Sequence, residues 1–204
     1  SHPDQQMVIA SGRPYYTNEE LFKEIKDHLI FIGDNGGLIY QQGQVLAKAG
    51  ITAEEAKFCL DLFKDEPLAN PILCGASQAI CHDPKGDRNF LKQLDTYYIK
   101  RRYIEDLEAE VNSDEIIKFT VYIEGGAAES IYRQLPEMPG NLSAVLAGPE
   151  WIDIVNKDAN KGAAVKKIAD LKGIKQDEIL AFGDYLNDLT MLEAAGTSYA
   201  MVNG

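Results

Sequence analysis

Near the carboxyl end of the sequence, Gly183-Asp184-Tyr185-Leu186-Asn187-Asp188 places two carboxylates and an amide within five positions. Neighbouring carboxylates resist ionisation together unless a cation lies between them. Hard oxygen donors of this kind suit Mg2+, which keeps several waters and takes only one or two protein carboxylates. The competing use of the same residues is a solvated acidic turn that caps the helix after it. Lys161, in Asp158-Ala159-Asn160-Lys161-Gly162-Ala163, stands just inside a helix start. A positive side chain is unfavourable there. Bridging a phosphate and a carboxylate would explain it, whereas a surface lysine with its stem along the helix is the plainer reading. Ser11-Gly12-Arg13 offers a hydroxyl and a freely turning glycine ahead of a helix N-terminus. That makes a compact anion cradle, or else an ordinary strand-to-helix turn. Asn35-Gly36-Gly37 reads as a hairpin turn before it reads as a functional loop.

Elements with the right character precede these groups. Met7-Val8-Ile9-Ala10 is a short apolar run of the buried parallel type, and it leads into the serine loop. Thr17 and Glu20 form a capping-box pattern, and Leu21, Phe22, Ile25 and Leu29 follow at helical spacing. Leu29-Ile30-Phe31-Ile32 is a second buried strand that ends in Gly33-Asp34-Asn35-Gly36-Gly37. Strand, helix and strand in this order form a βαβ unit with a parallel sheet. At the other end, Lys161 to Leu171 reads as a helix with Ala164, Val165, Ile168 and Leu171 on one face. Ile179-Leu180-Ala181-Phe182 is a buried strand before the acidic loop, Leu189 to Ala195 a short helix, and Tyr199-Ala200-Met201-Val202 another strand. The serine, the lysine and the acidic loop thus fall at the carboxyl edge of one sheet, where open α/β folds bind ligands.

The middle of the chain differs. Leu38-Ile39-Tyr40 and Val45-Leu46 flank a hairpin turn, and Thr52 with Glu55 caps a helix bearing Ala56, Cys59, Leu60 and Phe63. Ile72 to His82 reads as a strand, and Phe90, Leu91, Leu94 and Tyr97 have helical spacing. Ile117, Phe119, Val121 and Ile123 alternate with Lys118, Thr120 and Tyr122, a strand with one dry face. A helix over about Ala127–Leu135 and a hairpin of Leu142–Gly148 with Trp151–Val155 follow. The expected organisation is an α/β core built from both ends, residues 1–46 and 151–204, around an α+β insertion, 47–150.

Composition narrows the function classes. The 204 residues carry 20 Lys and Arg against 32 Asp and Glu, a net charge of −12, which opposes binding to nucleic-acid backbones or anionic membranes. No apolar run reaches the ~20 residues of a membrane span, and no signal-peptide pattern opens the sequence. Three cysteines (Cys59, Cys74, Cys81) are odd in number and lack metal-ligand spacing, which suits the cytoplasm.

Ser11-Gly12-Arg13-Pro14, Asn160-Lys161-Gly162 and Gly183-Asp184-Tyr185-Leu186-Asn187-Asp188-Leu189-Thr190-Met191-Leu192 resemble the second, third and fourth motifs of the haloacid dehalogenase (HAD) superfamily. The pattern is most similar to its Cof-like phosphatases, which carry a large α/β cap between the second and third motifs. The resemblance covers essentially the whole sequence. It implies a Rossmann-like core, a parallel sheet with helices on both faces, and an inserted α+β cap. It implies a Mg2+-dependent phosphatase of small phosphorylated metabolites, with sugar phosphates as the default, acting through an aspartyl-phosphate intermediate. In that scheme Ser11 and the Gly12 amide bind the phosphoryl group beside Arg13, Lys161 offsets charge, Asp184 and Asp188 hold the metal or its water, and Asn187 contacts the phosphate.

The cap offers Tyr97, Tyr98, Arg101, Arg102 and Tyr103 as leaving-group contacts or as ordinary helix-end packing. Family members carry Asp-x-Asp on a strand before the serine loop, whereas only Asp4 precedes Ser11. The nucleophile is therefore expected outside this sequence, the 204 residues alone are expected not to turn over, and the sheet is expected to lack its central strand. A catalytically silent phosphate-binding module is the alternative. The expected partners are a small phosphorylated metabolite and, at most, further copies of the chain in a small homo-oligomer.

Overall fold

The computed structural model describes residues 5–202. They divide into two compact units, residues 5–49 with 158–202 and residues 50–157. In the first unit, strand β1 (Met7–Ala10) pairs in parallel with β2 (Leu29–Gly33), Val8 opposite Ile30, with helix α1 (Tyr15–Leu21) between them. All five β2 residues are buried, as their unbroken apolar run requires. Strands β3 (Leu38–Gln41) and β4 (Gln44–Lys48) extend the sheet antiparallel, joined through Gln42 and Gly43, both at positive φ. Two such residues are what a tight twisted hairpin needs.

The helix α1 starts earlier and stops sooner than its spacing suggests. Pro14 occupies the N-cap, and the Thr17 and Asn18 amides donate to its carbonyl, so Thr17 is buried inside the helix. The chain leaves the helix at Phe22, and Leu29 opens β2 opposite Met7. The demand of sheet pairing overrides the 3.6-residue pattern there.

The second unit holds α2 (Ala53–Phe63), β5 (Ala69–Gly75), β6 (Ala79–Cys81), α3 (Arg88–Tyr97), β7 (Arg101–Tyr103), β8 (Ile116–Ile123), α4 (Ala128–Tyr132), β9 (Leu142–Gly148) and β10 (Trp151–Asn156). Its six-stranded sheet runs β7-β6-β5-β8-β10-β9. The Thr52–Glu55 capping box forms as expected: Glu55 N donates to Thr52 Oγ1 (3.1 Å) and Thr52 N to a Glu55 carboxylate oxygen (2.8 Å). The segment expected as one strand from Ile72 is a hairpin, β5 with β6. The boundaries expected at 46/47 and 150/151 lie at 49/50 and 157/158, because β4 pairs with β3 while β10 pairs with β8 and β9.

The alternation in β8 does not leave a wet face. Phe119, Val121 and Ile123 pack with Ala56, Cys59 and Phe63, whereas Tyr122 packs with Phe90, Leu94, Tyr98 and Trp151 on the other side. Lys118 and Asp153, both buried, form an ion pair at 3.0 Å, and the Thr120 hydroxyl donates to the same carboxylate. Pairing and a second covering layer let these polar residues be buried.

The first unit resumes with α5 (Lys161–Lys172), ended by Gly173 in the left-handed conformation, φ 68°. Then come β11 (Leu180–Gly183), α6 (Leu189–Ala194) and β12 (Thr197–Ala200), with β11 parallel to β12. Ala164 and Ile168 of α5 pack against Ile30, Ile32 and Ile39 of the four-stranded sheet. Among the described residues β1 pairs only with β2 and β11 only with β12. The run expected as a fully buried strand alternates instead: Ala181 and Gly183 are covered, while Leu180 and Phe182 are exposed, with Phe182 stacked on Tyr199. Asp4 lies outside the described residues, and among those residues no helix is long and apolar enough to cross a membrane.

Candidate active site

The serine loop is laced to the turn after β2. Ser11 N donates to Ile32 O (2.9 Å), Asp34 N to Arg13 O (3.0 Å) and Asn35 N to Ser11 O (3.0 Å). Ser11 Oγ accepts from Arg13 N (3.1 Å), which leaves its own proton for another acceptor. The Gly12 N–H has no hydrogen-bond partner among the described residues. Asp34 and Asn35 both adopt left-handed backbone, φ 50° and 56°, and Gly36 follows at φ 110°. A Cβ at Gly36 would stand 2.3 Å from the carbonyl oxygen of Asn160, so only glycine allows the turn to press against the start of α5.

That start is well capped. Asn160 Oδ1 accepts from Ala163 N at 2.8 Å, which fixes Lys161 as the first residue of α5. Lys161 is not the snorkelling surface lysine of the plainer reading. It is 5% exposed, and its Nζ lies 2.5 Å from Asp188 Oδ1. Gly162 meets α6 closely: its amide donates to Thr190 Oγ1 (3.2 Å), and a Cβ there would stand 2.2 Å from Thr190 O.

Asp188 is the hub of the acidic loop. Its second oxygen accepts from the Asp184 and Tyr185 amides at 3.0 and 3.3 Å. Burial alone would push its carboxyl pKa up, but the Lys161 ammonium and the two amides outweigh burial and hold it below the ordinary carboxylate value. Asp184, by contrast, is exposed, and its carboxylate has no ion-pair or hydrogen-bond partner among the described residues. Asn187 Nδ2 donates to Asn35 Oδ1 at 3.0 Å.

Inside the first unit Ser11 is therefore linked through Asn35 to Asn187, the chain neighbour of Asp188, which holds Lys161. Gly12 lies in the same serine loop without a hydrogen bond of its own among the described residues. Arg13 enters through its backbone. Asn35, expected in a plain hairpin turn, joins the serine loop to the acidic loop. Its signal in the sequence was the run Asp34-Asn35-Gly36, residue types that tolerate left-handed backbone. The cap side chains offered as leaving-group contacts have partners within the second unit: Arg101 donates to Asp95, Tyr103 and the Tyr98 carbonyl, Arg102 to Glu110, and Tyr98 is buried against Trp151. No group of three or more His, Cys, Asp or Glu able to hold a metal occurs among the described residues. The open oxygen donor is Asp184, since both Asp188 oxygens already have protein partners. One free carboxylate fits Mg2+, which completes its shell with water and substrate oxygens.

A model of haloacid dehalogenase-like hydrolases matches residues 2–204. The chain belongs to the haloacid dehalogenase-like hydrolases. It is 26% identical over 200 residues to the Escherichia coli (strain K12) 5-amino-6-(5-phospho-D-ribitylamino)uracil phosphatase YbjI, covering 97% of this chain and 72% of that protein. It is 36% identical over 209 residues to YxeH, a candidate phosphatase of Bacillus subtilis (strain 168), covering 97% and 75%. A haloacid dehalogenase-like hydrolase from Bacteroides thetaiotaomicron shares the fold, with a TM-score of 0.84 at 19% identity, covering 97% of this chain and 75% of that one. The chain is thus a phosphoric monoester hydrolase of this family with a HAD core and a cap unit.

Proposed function

We propose that the first unit is the phosphoryl-transfer site of a Mg2+-dependent phosphatase for small phosphorylated metabolites, sugar phosphates foremost. The carrying observation is the buried Lys161–Asp188 pair, tied through Asn187 and Asn35 to the serine loop. Phosphoryl transfer asks a protein mostly for positioning and charge neutralisation, and these residues supply both. The Ser11 hydroxyl donates its free proton to a non-bridging phosphoryl oxygen, and the unpaired Gly12 N–H donates beside it. Lys161 Nζ, held by Asp188, carries positive charge towards the transferring group. Asn187 steadies the phosphate from the acidic loop.

Asp184 is the residue that would hold Mg2+, which offsets phosphate charge when bound. Asp188 acts chiefly by fixing Lys161 and the Asp184–Tyr185 backbone. A carboxylate seated beside Ser11 and Lys161 is the proposed covalent nucleophile. That carboxylate attacks phosphorus as the P–O bond to the substrate breaks, and the departing alkoxide takes a proton from water or an acid at the site. Water then cleaves the acyl phosphate to release inorganic phosphate and restore the carboxylate. The named substrate of YbjI, a phosphorylated ribityl compound, supports a polyol or sugar phosphate as the substrate class.

The test uses the full-length protein that carries this sequence. Hydrolysis of p-nitrophenyl phosphate and of a hexose phosphate panel should require Mg2+, and Asp184→Ala should abolish the metal-dependent rate. An unchanged rate in that variant would discard the site assignment.

A further inference from the structure

The turn after β2 has more features than a hairpin connection needs. Asp34 and Asn35 are consecutive non-glycine residues in left-handed backbone, an uncommon arrangement. Asn35 N and Oδ1 are both engaged, the first with Ser11 O and the second with Asn187 Nδ2. Its remaining group, the half-buried amide Nδ2, has no hydrogen-bond partner among the described residues. The amide as a whole faces the serine loop, with Nδ2 3.1 Å and Oδ1 3.2 Å from the point where a Cβ on Gly12 would stand. The serine loop it faces carries two more donors without an acceptor among the described residues, the Ser11 hydroxyl proton and the Gly12 N–H. A clip that only joined two loops would use the backbone and Oδ1 and would leave Nδ2 incidental. Asn35 is only partly buried, so this amide is open to an incoming acceptor, and an anion seated on the serine loop would supply one.

We infer that Asn35 is a phosphate-binding residue of this site: its Oδ1 orients Asn187, and its Nδ2 joins Ser11 and Gly12 as a donor to the same phosphoryl oxygens. The inference rests on the phosphatase reading above and adds to it a contact from a segment outside the serine, lysine and acidic loops. It also explains why the position carries an amide. An aspartate would serve equally well as acceptor for Asn187 and would tolerate the same backbone, but it would set a negative charge against the phosphate.

The experiment measures competitive inhibition by inorganic phosphate in the full-length protein, with thermal midpoints as a folding control. Asn35→Asp keeps the acceptor and the backbone preference but removes the donor. It should raise the phosphate inhibition constant roughly 10- to 100-fold, the span of a lost charge-assisted hydrogen bond, while the midpoint moves little. Asn35→Gly, which keeps the left-handed turn without any side chain, should raise it about tenfold or less, because no repulsion is added. If Ser11→Ala weakens phosphate inhibition while both Asn35 variants match the parent, Asn35 is only a clip and the inference is wrong. If neither Ser11→Ala nor the Asn35 variants change it, the phosphatase site itself is misassigned and the inference falls with it.

Discussion

Replacing Lys161 by Met tests the central pair directly. The two side chains are 5% and 7% exposed, with 2.5 Å between Nζ and Oδ1, so neither charge has water to fall back on. Removing one partner of such a pair leaves the other charge buried, at a cost of about 3–5 kcal/mol. The two single substitutions should not cost the same. Asp188 keeps two backbone donors, the Asp184 and Tyr185 amides, when the lysine is lost, so Lys161→Met belongs near the lower end of that range. Asp188→Asn strands a buried ammonium with at best a neutral oxygen, and it belongs near the upper end. The double variant leaves no buried charge and should recover about 2–3 kcal/mol of the summed losses. With urea slopes of about 1–3 kcal/mol per molar, each single change moves the unfolding midpoint by about 1 M or more. Trp151 is the single tryptophan and lies in the second unit, so its emission does not report on the pair. Hydrogen exchange at the Asp184 and Tyr185 amides does, because both donate to Asp188. Additivity of the two single losses within about 0.5 kcal/mol would refute the coupling on which the site depends.

The acid limb of stability should carry the same signature. The Asp188 pKa is depressed in the folded state, so its contribution is complete above the unfolded value of about 4 and is lost as pH falls below it towards the folded value. Asp188→Asn should flatten the urea-midpoint profile over that acidic window. Burial pushes the Cys59 and Cys81 thiols up to about 12, and Cys74 is buried as well. Iodoacetamide at pH 8 should therefore leave the folded chain unlabelled and alkylate all three cysteines once urea unfolds it. Gly162→Ala, whose Cβ would stand 2.2 Å from Thr190 O, should force α5 and α6 apart and cost about 1–3 kcal/mol in thermal unfolding.

The parts of the fold legible in the sequence are those whose local and tertiary demands agree. The Thr52–Glu55 box, the apolar run of β2 and the start of α5 at Lys161 each satisfy capping, pattern and packing at once. Where the demands diverge, the sequence misleads. Leu29 has the spacing of a helix residue, but its pairing with Met7 makes it a strand residue. Lys118 and Thr120 have the alternation of a solvent face, but the partner that buries them, Asp153, is 35 positions from Lys118. The site divides in the same way. Ser11 and the acidic loop were visible as residue types at strand ends, and Lys161 as a cation at a helix start. The role of Asn35 was not, because it depends on a contact with Asn187 across 152 positions and on a close approach of Gly36 to Asn160.

The position of Lys161 makes the strongest physical argument for function over mere stability. The first turn of a helix disfavours a cation by about 0.3–1 kcal/mol. Desolvating an ammonium and a carboxylate costs several kcal/mol each, and their attraction repays this only in part. Well-packed apolar residues at 161 and 188 would often match or exceed the stability of the pair. A fold selected for stability alone gains nothing from a lysine here. Asp188 spends both its oxygens on holding that lysine and the backbone of the acidic loop, while Asp184 remains open beside it. The arrangement has a reason only if a third charge takes part. An anion seated on the Ser11–Gly12 donors would give Lys161 a second partner and turn a costly burial into a binding and transfer device. That account predicts that inorganic phosphate should stabilise the parent protein against urea more than it stabilises Lys161→Met. Equal stabilisation of the two would leave the buried ammonium without a purpose and would defeat the argument.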